Sequence, residues 1–157
     1  MYHNHHSHSY YSLLDGFSSP TELLKRAEEV GMTALSITDH GTLSGHRDFL
    51  NAAKETNVKP ILGLEAYFTN DRLDKRAKKD RGENGQIYNH LIVLAKNELG
   101  LQNLSKLSEI GWNDGFFMKP RIDFEVLEKY SSDLVIVSGC MNGIIAKAIQ
   151  NENMDLA

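Results

Sequence analysis

Histidines crowd the start of this chain, where four of its seven histidines fall within the first eight residues. Among them, His6 and His8 lie two residues apart in a segment that we expect to form the first strand. Because side chains alternate across a strand, both imidazoles would point to the same side and offer two neighbouring nitrogen ligands to a metal ion. The alternative is a histidine-rich disordered terminus or the remnant of a purification tag, although Asn4 and Ser7 interrupt the run.

Further groups able to bind a metal follow other apolar runs. Asp39 and His40 come directly after one such run, and Glu65 emerges from another, where an unpaired carboxylate would be costly to bury. We expect a metal ion or a salt-bridge partner beside Glu65; a capping aspartate and an ion pair at the edge of the core are the alternatives. Cys140 also follows an apolar run, and it fits a small buried side chain, a nucleophile or a soft metal ligand.

Four other residues are weaker candidates on local sequence alone. Asp15 precedes Gly16, and such a pair more often forms a simple turn than a binding site. His90 opens its predicted strand instead of ending it, so a buried core histidine is the ordinary interpretation. Lys119 and Arg121 flank a proline near a short predicted strand and are candidate contacts for a substrate phosphate.

The elements that must position these residues alternate along the chain. Predicted strands begin near residue 2 and cover 34–38, 59–67, 90–95, 134–138 and, as a short strand, 116–122. Predicted helices follow a capping box at Ser19 and a polar residue at Asn97, and further helices cover 44–56, 123–130 and 142–151. Repeated βα units indicate an α/β fold with a mostly parallel sheet. No glycine-rich dinucleotide or nucleotide phosphate loop opens a helix, so a βα barrel with its chemistry at the carboxyl ends of the strands is favoured.

Length and charge indicate one soluble domain. The 157 residues suffice for one hydrophobic core, and a single cysteine excludes an internal disulfide. Since the sequence has neither a run of about 20 apolar residues nor a signal peptide, we expect a cytoplasmic protein without membrane contact. The net charge of −4 excludes a global positive field for nucleic acid, and the charged segment 71–85 is predicted to be a solvated helix or loop.

In their order along the chain, the motifs resemble those of the PHP (polymerase and histidinol phosphatase) domain, in the version found at the amino terminus of bacterial replicative DNA polymerase III alpha subunits. The opening from His6 to Gly16 resembles the first motif. The later motifs are Thr38-Asp39-His40-Gly41, Gly63-Leu64-Glu65-Ala66-Tyr67, the segments 90–97 and 115–122, and Ser138-Gly139-Cys140. The resemblance covers essentially the whole chain.

This resemblance implies a distorted (β/α)7 barrel with up to three metal ions in its mouth. It implies seven metal ligands, which are His6, His8, Asp15, His40, Glu65, His90 and Cys140. Glu65 would bridge two ions and take a catalytic role together with Asp39, which would act by orienting its neighbours. Mixed imidazole, carboxylate and thiolate ligands favour two or three zinc, manganese or iron ions over magnesium.

The chain departs from the family pattern at its carboxyl end. The family's domain continues into a further strand and helix and closes with an Asp-x-His pair, so we expect residues 1–157 to form one shortened PHP domain in which that strand and helix are missing. The polymerase palm, thumb and fingers are also missing, so this chain alone is not expected to polymerise DNA. We expect the isolated chain to expose an unpaired strand edge and to be marginally stable.

Three functions follow from the resemblance. The first is a phosphoesterase of the 3′–5′ exonuclease type that acts on the 3′ end of single-stranded DNA during replication, together with the rest of a DNA polymerase III alpha-like polypeptide. The second is an inactive structural or partner-binding piece of a split polymerase. The third is a stand-alone phosphatase for small phosphomonoesters, which the polymerase-type motif from Tyr11 to Gly16 argues against.

Overall fold

The computed structural model describes residues 2–77 and 87–152, and these contain five helices and five strands. The helices are α1 (Pro20–Glu29), α2 (His46–Ala53), α3 (Glu98–Asn113), α4 (Phe124–Lys129) and α5 (Ile144–Gln150). The strands are β1 (Ala34–Ile37), β2 (Lys59–Phe68), β3 (Asn89–Ala95), β4 (Arg121–Ile122) and β5 (Leu134–Val137). Helices and strands alternate as predicted, except that the described residues between β2 and β3 contain no helix. None of the helices in these ranges is long and apolar enough to cross a membrane.

The start and end of α1 follow directly from its sequence. The side chain of Ser19 accepts a hydrogen bond from the N–H of Glu22, and the Glu22 carboxylate accepts one from the N–H of Ser19 at 2.7 Å. This capping box satisfies two N–H groups that the first helical turn leaves without a partner. Pro20 occupies the first turn, where no N–H is needed, and Gly31 adopts a left-handed φ of 77° just after the helix. The predicted helix is confirmed.

Polar side chains also set the starts of α3 and α4. Asn97 precedes α3 and accepts a hydrogen bond from the N–H of Gly100 at 3.0 Å. Asp123 precedes α4 and accepts one from the N–H of Val126 at 3.3 Å. Both residues are therefore N-caps, and both helices form where the sequence predicts them.

The sheet is mixed, and β2 is its central strand. The first half of β2 pairs in parallel with β1, and its second half pairs antiparallel with β3. β4 pairs in parallel with the last two residues of β2, and β5 pairs antiparallel with β3. Four strands therefore run in one direction and β3 runs against them.

The prediction of a mostly parallel sheet is wrong at β3. A parallel neighbour needs a crossover, which is usually a helix. The described parts of the connection between β2 and β3, residues 69–77 and 87–88, contain no helix, and β3 lies alongside β2 as an antiparallel neighbour. The described strands form one five-stranded sheet, and closure into a barrel stays a prediction.

The expected first strand is instead an extended segment beside β1, residues 2–8, which we call the arm. A single bridge joins Asn4 to Leu35, and the N–H of Thr38 donates to the carbonyl of Ser7 at 2.9 Å. The N–H of Ser7, however, donates to the side-chain oxygen of Thr38 at 3.0 Å instead of to a backbone carbonyl. Because this contact interrupts the backbone ladder, the arm is tied to β1 without becoming a strand of the sheet.

The predicted strand over 116–122 is reduced to the two residues of β4. The N–H of Phe117 donates to the carbonyl of Lys119 at 3.1 Å, with Met118 between them at a left-handed φ of 62°. This tight turn reverses the chain just before β4. Only Arg121 and Ile122 remain to pair with β2.

Two groups of buried apolar residues hold the helices against the sheet. One packs α1 and α2 on β1 and the start of β2, and it consists of Leu24, Ala27, Leu35, Ile37, Phe49, Val58 and Leu62. The other packs α3 and α4 on the remaining strands, and it consists of Leu64, Ala66, Phe68, Leu91, Val93, Leu104, Leu107, Ile122, Val126, Leu127 and Leu134. Each fully buried leucine or phenylalanine contributes about 1.5–3 kcal/mol relative to an exposed one. These contacts fix the strand ends from which the candidate site residues project.

A buried histidine joins α2 to the middle of β2. The Nε2 of His46 donates to the carbonyl of Gly63 at 2.8 Å, and the side chain is almost inaccessible to solvent. Burial lowers the pKa of His46 below its usual value, against weaker opposing effects of the Gly63 carbonyl and Asp39. The neutral imidazole is therefore the form that the folded protein favours.

We expect His46 to destabilise the fold in acid. The unfolded chain binds a proton at His46 at a higher pH than the folded chain, so this stability is lost as pH falls below about 6.5, by at most about 1.4 kcal/mol per pH unit. Urea unfolding of wild type and of His46→Gln between pH 8 and pH 5 measures the effect, because all other titrating groups are shared. The free energy of unfolding of the wild type should fall more steeply with acid than that of the variant. Parallel curves would contradict the assignment.

Candidate metal centre

Four imidazoles surround one buried carboxylate. Glu65 in β2 is 1% exposed, and its Oε2 lies 2.8 Å from Nδ1 of His40 and 3.0 Å from Nε2 of His8. The same oxygen lies 3.2 Å from Nε2 of His6, and Oε1 lies 2.8 Å from Nδ1 of His90. Residues far apart in the sequence therefore meet at Glu65.

The backbone of the sheet brings His40 and His90 to Glu65. His40 forms a parallel bridge with Glu65, in which the N–H of Gly41 donates to the carbonyl of Glu65 at 2.9 Å. His90 pairs with Tyr67 in the antiparallel ladder of β2 and β3. Because β3 runs antiparallel to β2, its first residues, which include His90, lie at the carboxyl end of β2. The antiparallel direction of β3 thus explains why His90 lies beside Glu65, which the local sequence could not predict.

The arm brings His6 and His8 to the same carboxylate. Their Nε2 atoms lie 3.0 Å apart, so both imidazoles point to one side as the alternation of side chains predicts. The ring of His8 also stacks on the ring of His40, with centres 4.3 Å apart. The arm therefore lies against the carboxyl end of β1, although it is not a strand.

A tight turn carries Asp15 to the outer side of the centre. The N–H groups of Asp15 and Gly16 both donate to the carbonyl of Ser12, at 3.0 and 2.9 Å. A side chain at Gly16 would lie 1.8 Å from the carbonyl oxygen of Ser9, so only glycine fits there. The turn places Oδ2 of Asp15 2.8 Å from Nε2 of His40. Asp15-Gly16 is thus the turn that local sequence predicts, and it also presents a candidate ligand.

Cys140 lies at the edge of the same cluster. Its Sγ is 3.9 Å from Oε1 of Glu65 and 3.8 Å from Nδ1 of His90. The preceding Gly139 has a left-handed φ of 82°, which turns the chain after β5 toward these residues. All seven predicted ligands therefore lie together in the structure.

Three overlapping groups within this cluster have donor atoms close enough to share an ion. The groups are His6, His8 and Glu65; His8, Asp15 and His40; and His40, Glu65 and His90. Within each group the donor atoms all lie within 4.8 Å of one another. His8, His40 and Glu65 each belong to two groups. The carboxylate of Glu65 has two oxygens and would let neighbouring ions share it, whereas a neutral imidazole has one lone pair and would bind one ion.

The geometry around Glu65 fits a bound cation. Although Nδ1 of His40 and Oε2 of Glu65 are 2.8 Å apart, their relative direction does not make a hydrogen bond. Both atoms are buried, and neither has a hydrogen-bond partner among the described residues. A carboxylate oxygen and an imidazole nitrogen buried at this spacing need a shared positive charge, either a proton or a metal ion. Imidazole nitrogen with carboxylate oxygen is a donor set that zinc, manganese and iron accept.

Charges in the centre reinforce one another. Burial alone would raise the pKa of Glu65, but the imidazoles of His40, His6, His8 and His90 outweigh it and hold this pKa well below its usual range. Burial would lower the pKa of His40, but Glu65 and Asp15 outweigh it and raise this pKa. Glu65 therefore stays ionised, and it attracts positive charge into the centre.

Asp39 lies behind the ligands and does not face the mouth of the centre. It is 1% exposed, and its carboxylate accepts hydrogen bonds from the N–H of Ser9 at 2.7 Å and from the hydroxyls of Ser9 and Ser12 at 2.8 Å each. These bonds fit a residue that orients the segment leading to Asp15. They do not fit direct contact with a substrate.

The burial of Arg121 argues against the predicted phosphate contact at this residue. Arg121 is 0% exposed, and its guanidinium donates to the carbonyls of Gly115 at 3.0 Å and of Arg72 and Asp74 at 2.9 Å each. Sequence analysis predicted an exposed basic side chain here, because the local sequence does not reveal that packing brings these three carbonyls to Arg121. Arg121 therefore belongs to the packing of the segments around β4.

Most described residues of the charged segment 71–85 are exposed, as predicted, but two of its basic side chains bind the rest of the protein. Arg72 makes ion pairs with Asp123 at 3.0 Å and with Glu125 at 2.6 Å. Lys75 donates to the carbonyls of Asp114 and Phe116 at 2.7 Å each. Residues 78–85 of this predicted segment lie outside the described residues.

Tyr67 is a neighbour of the centre that sequence reasoning missed. Its ring centre lies 5.9 Å from that of His40 and 5.6 Å from that of His90. Burial, together with the charges of Tyr88, Glu65 and Asp15, raises the pKa of Tyr67 to about 12. The ammonium of the exposed Lys119 lies 5.3 Å from the centre of the same ring, so Lys119 stands at the rim of the cluster. The position of Tyr67 two residues after Glu65 was the available signal, because alternation puts both side chains on one face.

Comparison with known proteins identifies the family of this chain. Residues 4–157 match the family model of the PHP domain. The chain is similar to the DNA polymerase III subunit alpha of Aquifex aeolicus, with 45% identity over 88% of this chain and 12% of the relative. It is also similar to the subunits of the same name from Borreliella burgdorferi, with 44% identity over 92% of this chain, and from Thermus aquaticus, with 41% identity over 97% of it. The chain spans about 12% of the length of each of these relatives. Since the family model matches nearly the whole sequence, the chain belongs to the PHP domain family.

Proposed function

We propose that this chain is a metal-dependent phosphoesterase domain of the 3′–5′ exonuclease type. The observation that carries this proposal is the overlap of three possible ion sites at Glu65 and His40. Two or three ions that share ligands would lie close together, which is the arrangement that phosphoester-hydrolysing centres use. We propose zinc, manganese or iron as these ions, because imidazole nitrogen is the commonest donor in the cluster.

Each ion would be held by residues from different segments. His6, His8 and Glu65 would hold one ion, and His40, Glu65 and His90, with Cys140 at the edge, would hold a second. Asp15 would hold a third, together with His8 or His40 where that imidazole does not bind another ion. Bound ions would supply Lewis acidity toward a phosphoryl group and a nucleophile at neutral pH.

The protein's own side chains suggest how a substrate would be oriented. Asp15 has a side chain that is 56% exposed, and it marks the solvent side of the cluster, whereas Glu65 is closed off from solvent. Lys119 stands near the same rim over Tyr67, where its ammonium is free to contact a phosphate. We therefore propose that the phosphate approaches between Asp15 and Lys119 and that Glu65 anchors the ions behind it.

The similarity to DNA polymerase III alpha subunits supports a substrate and a setting. We propose that the substrate is the 3′ end of single-stranded DNA and that the domain serves replication as part of a larger DNA polymerase III alpha-like polypeptide. The negative net charge of the chain means that the ions and Lys119, more than a broad basic surface, would attract the strand.

A second candidate is a structural or partner-binding role, and the surface of β5 favours it. Val135, Ile136 and Val137 are each about 40% exposed, and within the described residues β5 pairs only with β3. An exposed apolar edge strand readily pairs with a further strand. We propose that this edge is where the distorted (β/α)7 barrel continues or where a partner binds.

Replacing the shared carboxylate should remove metal from the protein. Glu65→Gln leaves the side chain its size but takes away the charge that four imidazoles surround, so we expect the affinity for Mn²⁺ or Zn²⁺ to fall by at least about 10-fold. Metal content after dialysis, measured by inductively coupled plasma mass spectrometry, should be two to three ions per wild-type chain and at most one per variant chain. Glu109→Gln is the matched control, because Glu109 pairs with Lys106 on the exposed face of α3. Equal metal content in all three proteins would contradict the proposed centre.

Cleavage of DNA should depend on the histidines of the arm that face Glu65. With Mn²⁺ present, the chain should shorten a 5′-labelled single-stranded oligonucleotide from its 3′ end, and EDTA should stop the reaction. His6→Asn should slow cleavage by about 100-fold or more, which is the scale of losing one charge-stabilising group. His5→Asn is the matched control in the same arm, since His5 contacts Ser36 at 3.3 Å on the other side.

Three outcomes of this assay separate the candidate functions. Metal binding with intact DNA would favour the structural or partner-binding role. Turnover of p-nitrophenyl phosphate without cleavage of DNA would favour a phosphatase for small substrates. Equal cleavage by the His5 and His6 variants would contradict the proposed site.

A further inference from the structure

The hydroxyl of Ser12 lies directly behind two of the candidate ligands. Ser12 is 1% exposed and belongs to the turn that carries Asp15. Its Oγ lies 2.8 Å from Oδ1 of Asp39, 3.0 Å from the backbone nitrogen of His40 and 2.9 Å from Nδ1 of His8. One buried oxygen therefore has three polar partners.

Chemistry fixes the direction of each of these hydrogen bonds. A serine hydroxyl has one proton to donate and two lone pairs to accept with. The carboxylate of Asp39 only accepts, so the proton of Ser12 goes to Asp39. The backbone N–H of His40 only donates, so it takes one lone pair of Ser12. The remaining lone pair faces Nδ1 of His8, and this nitrogen must therefore carry a proton.

Two hydrogen bonds from Ser9 fix the orientation of the Asp39 carboxylate. Oδ1 of Asp39 also accepts from the N–H of Ser9 at 2.7 Å, and Oδ2 accepts from the Ser9 hydroxyl at 2.8 Å. These donors keep the carboxylate turned toward Ser12 as an acceptor. The donors at Ser9 thus fix Asp39 as an acceptor, Asp39 fixes Ser12 as its donor, and Ser12 in turn accepts from Nδ1 of His8.

The consequence appears on the other side of the His8 ring. A neutral imidazole that carries its proton on Nδ1 has its lone pair on Nε2. Nε2 of His8 lies 3.0 Å from Oε2 of Glu65 and 3.0 Å from Nε2 of His6, which is the position where the candidate ligands converge. In the metal-free chain the partners of Nε2 are Glu65 and His6. A bound cation would come between them, and Nε2 would then offer it a lone pair while Nδ1 keeps its proton on Ser12.

We propose that Ser12 is a positioning residue that selects the Nδ1–H tautomer of His8 and so prepares Nε2 to bind metal. The same hydroxyl holds the backbone of His40, and together His8 and His40 contribute to all three possible ion sites. This inference rests on the proposed function in one respect, namely that the lone pair on Nε2 serves a metal ion.

The tautomer of His8 tests the inference without metal or activity. We would record long-range ¹H–¹⁵N correlations of the histidine rings in the full chain, free of metal, at pH 8, and identify His8 from the signals missing in His8→Asn. The wild type should show Nδ1–H at His8, and Ser12→Ala should show a mixture with the Nε2–H form. Ser12→Thr keeps the hydroxyl and should restore the wild-type tautomer.

A variant of Ser7 serves as a control that distinguishes orientation of His8 from loss of packing. Ser7 lies between His6 and His8, is buried, and donates its hydroxyl to the carbonyl of Ser36. Ser7→Ala should therefore lower stability without changing the His8 tautomer. In zinc titrations Ser12→Ala should lose about 10–100-fold in affinity, and Ser7→Ala should keep the wild-type affinity.

Two results would overturn the inference. One is a His8 ring without a proton on Nδ1 in the wild type, and the other is an unchanged occupancy of the Nδ1 proton in a folded Ser12→Ala protein. If the wild type binds no metal at all, the proposed function fails, but the tautomer in the metal-free chain still decides the role of Ser12.

Discussion

The arrangement around Glu65 is governed by the cost of burying an ionised carboxylate. Moving such a group out of water without compensation costs several kcal/mol, and a fold keeps it only where opposite charge or hydrogen bonds replace the lost water. Glu65 is 1% exposed, and four imidazoles from the arm, the end of β1 and the start of β3 provide that compensation. Each of these elements therefore contributes a partner to one buried charge.

Backbone pairing, more than side-chain packing, sets the positions of these partners. The bridge between His40 and Glu65 fixes one imidazole beside the carboxylate, and the antiparallel ladder of β2 and β3 fixes His90 on its other side. The arm has no continuous ladder, so hydrogen bonds through Asp39 and Ser12 hold His8 instead. Rigid strands position half of the centre, and a network of buried polar side chains positions the rest.

Features that depend on local sequence could be predicted, and features that depend on distant pairing could not. Alternation placed His6 and His8 on one side, and the capping box at Ser19 located α1. Local patterns carry no information on strand direction, so the antiparallel direction of β3 was not predicted. Without it there was no geometric reason to place His90 beside Glu65. Asp15 and His90 became candidates only through family resemblance. The burial of Arg121 depends on carbonyls that packing brings to it from other segments, which no spacing in the sequence reveals.

The central claim is that the histidines of the arm, His40, His90 and Glu65 share cations. Anomalous diffraction from crystals grown with Zn²⁺, collected on both sides of the zinc absorption edge, tests it most directly. We predict at least two peaks, one of them about 2.0–2.2 Å from Oε2 of Glu65 and from Nε2 of His6 and His8, as zinc–nitrogen and zinc–oxygen bonds require. Peaks confined to other parts of the surface, or full occupancy of this position by water, would contradict the account.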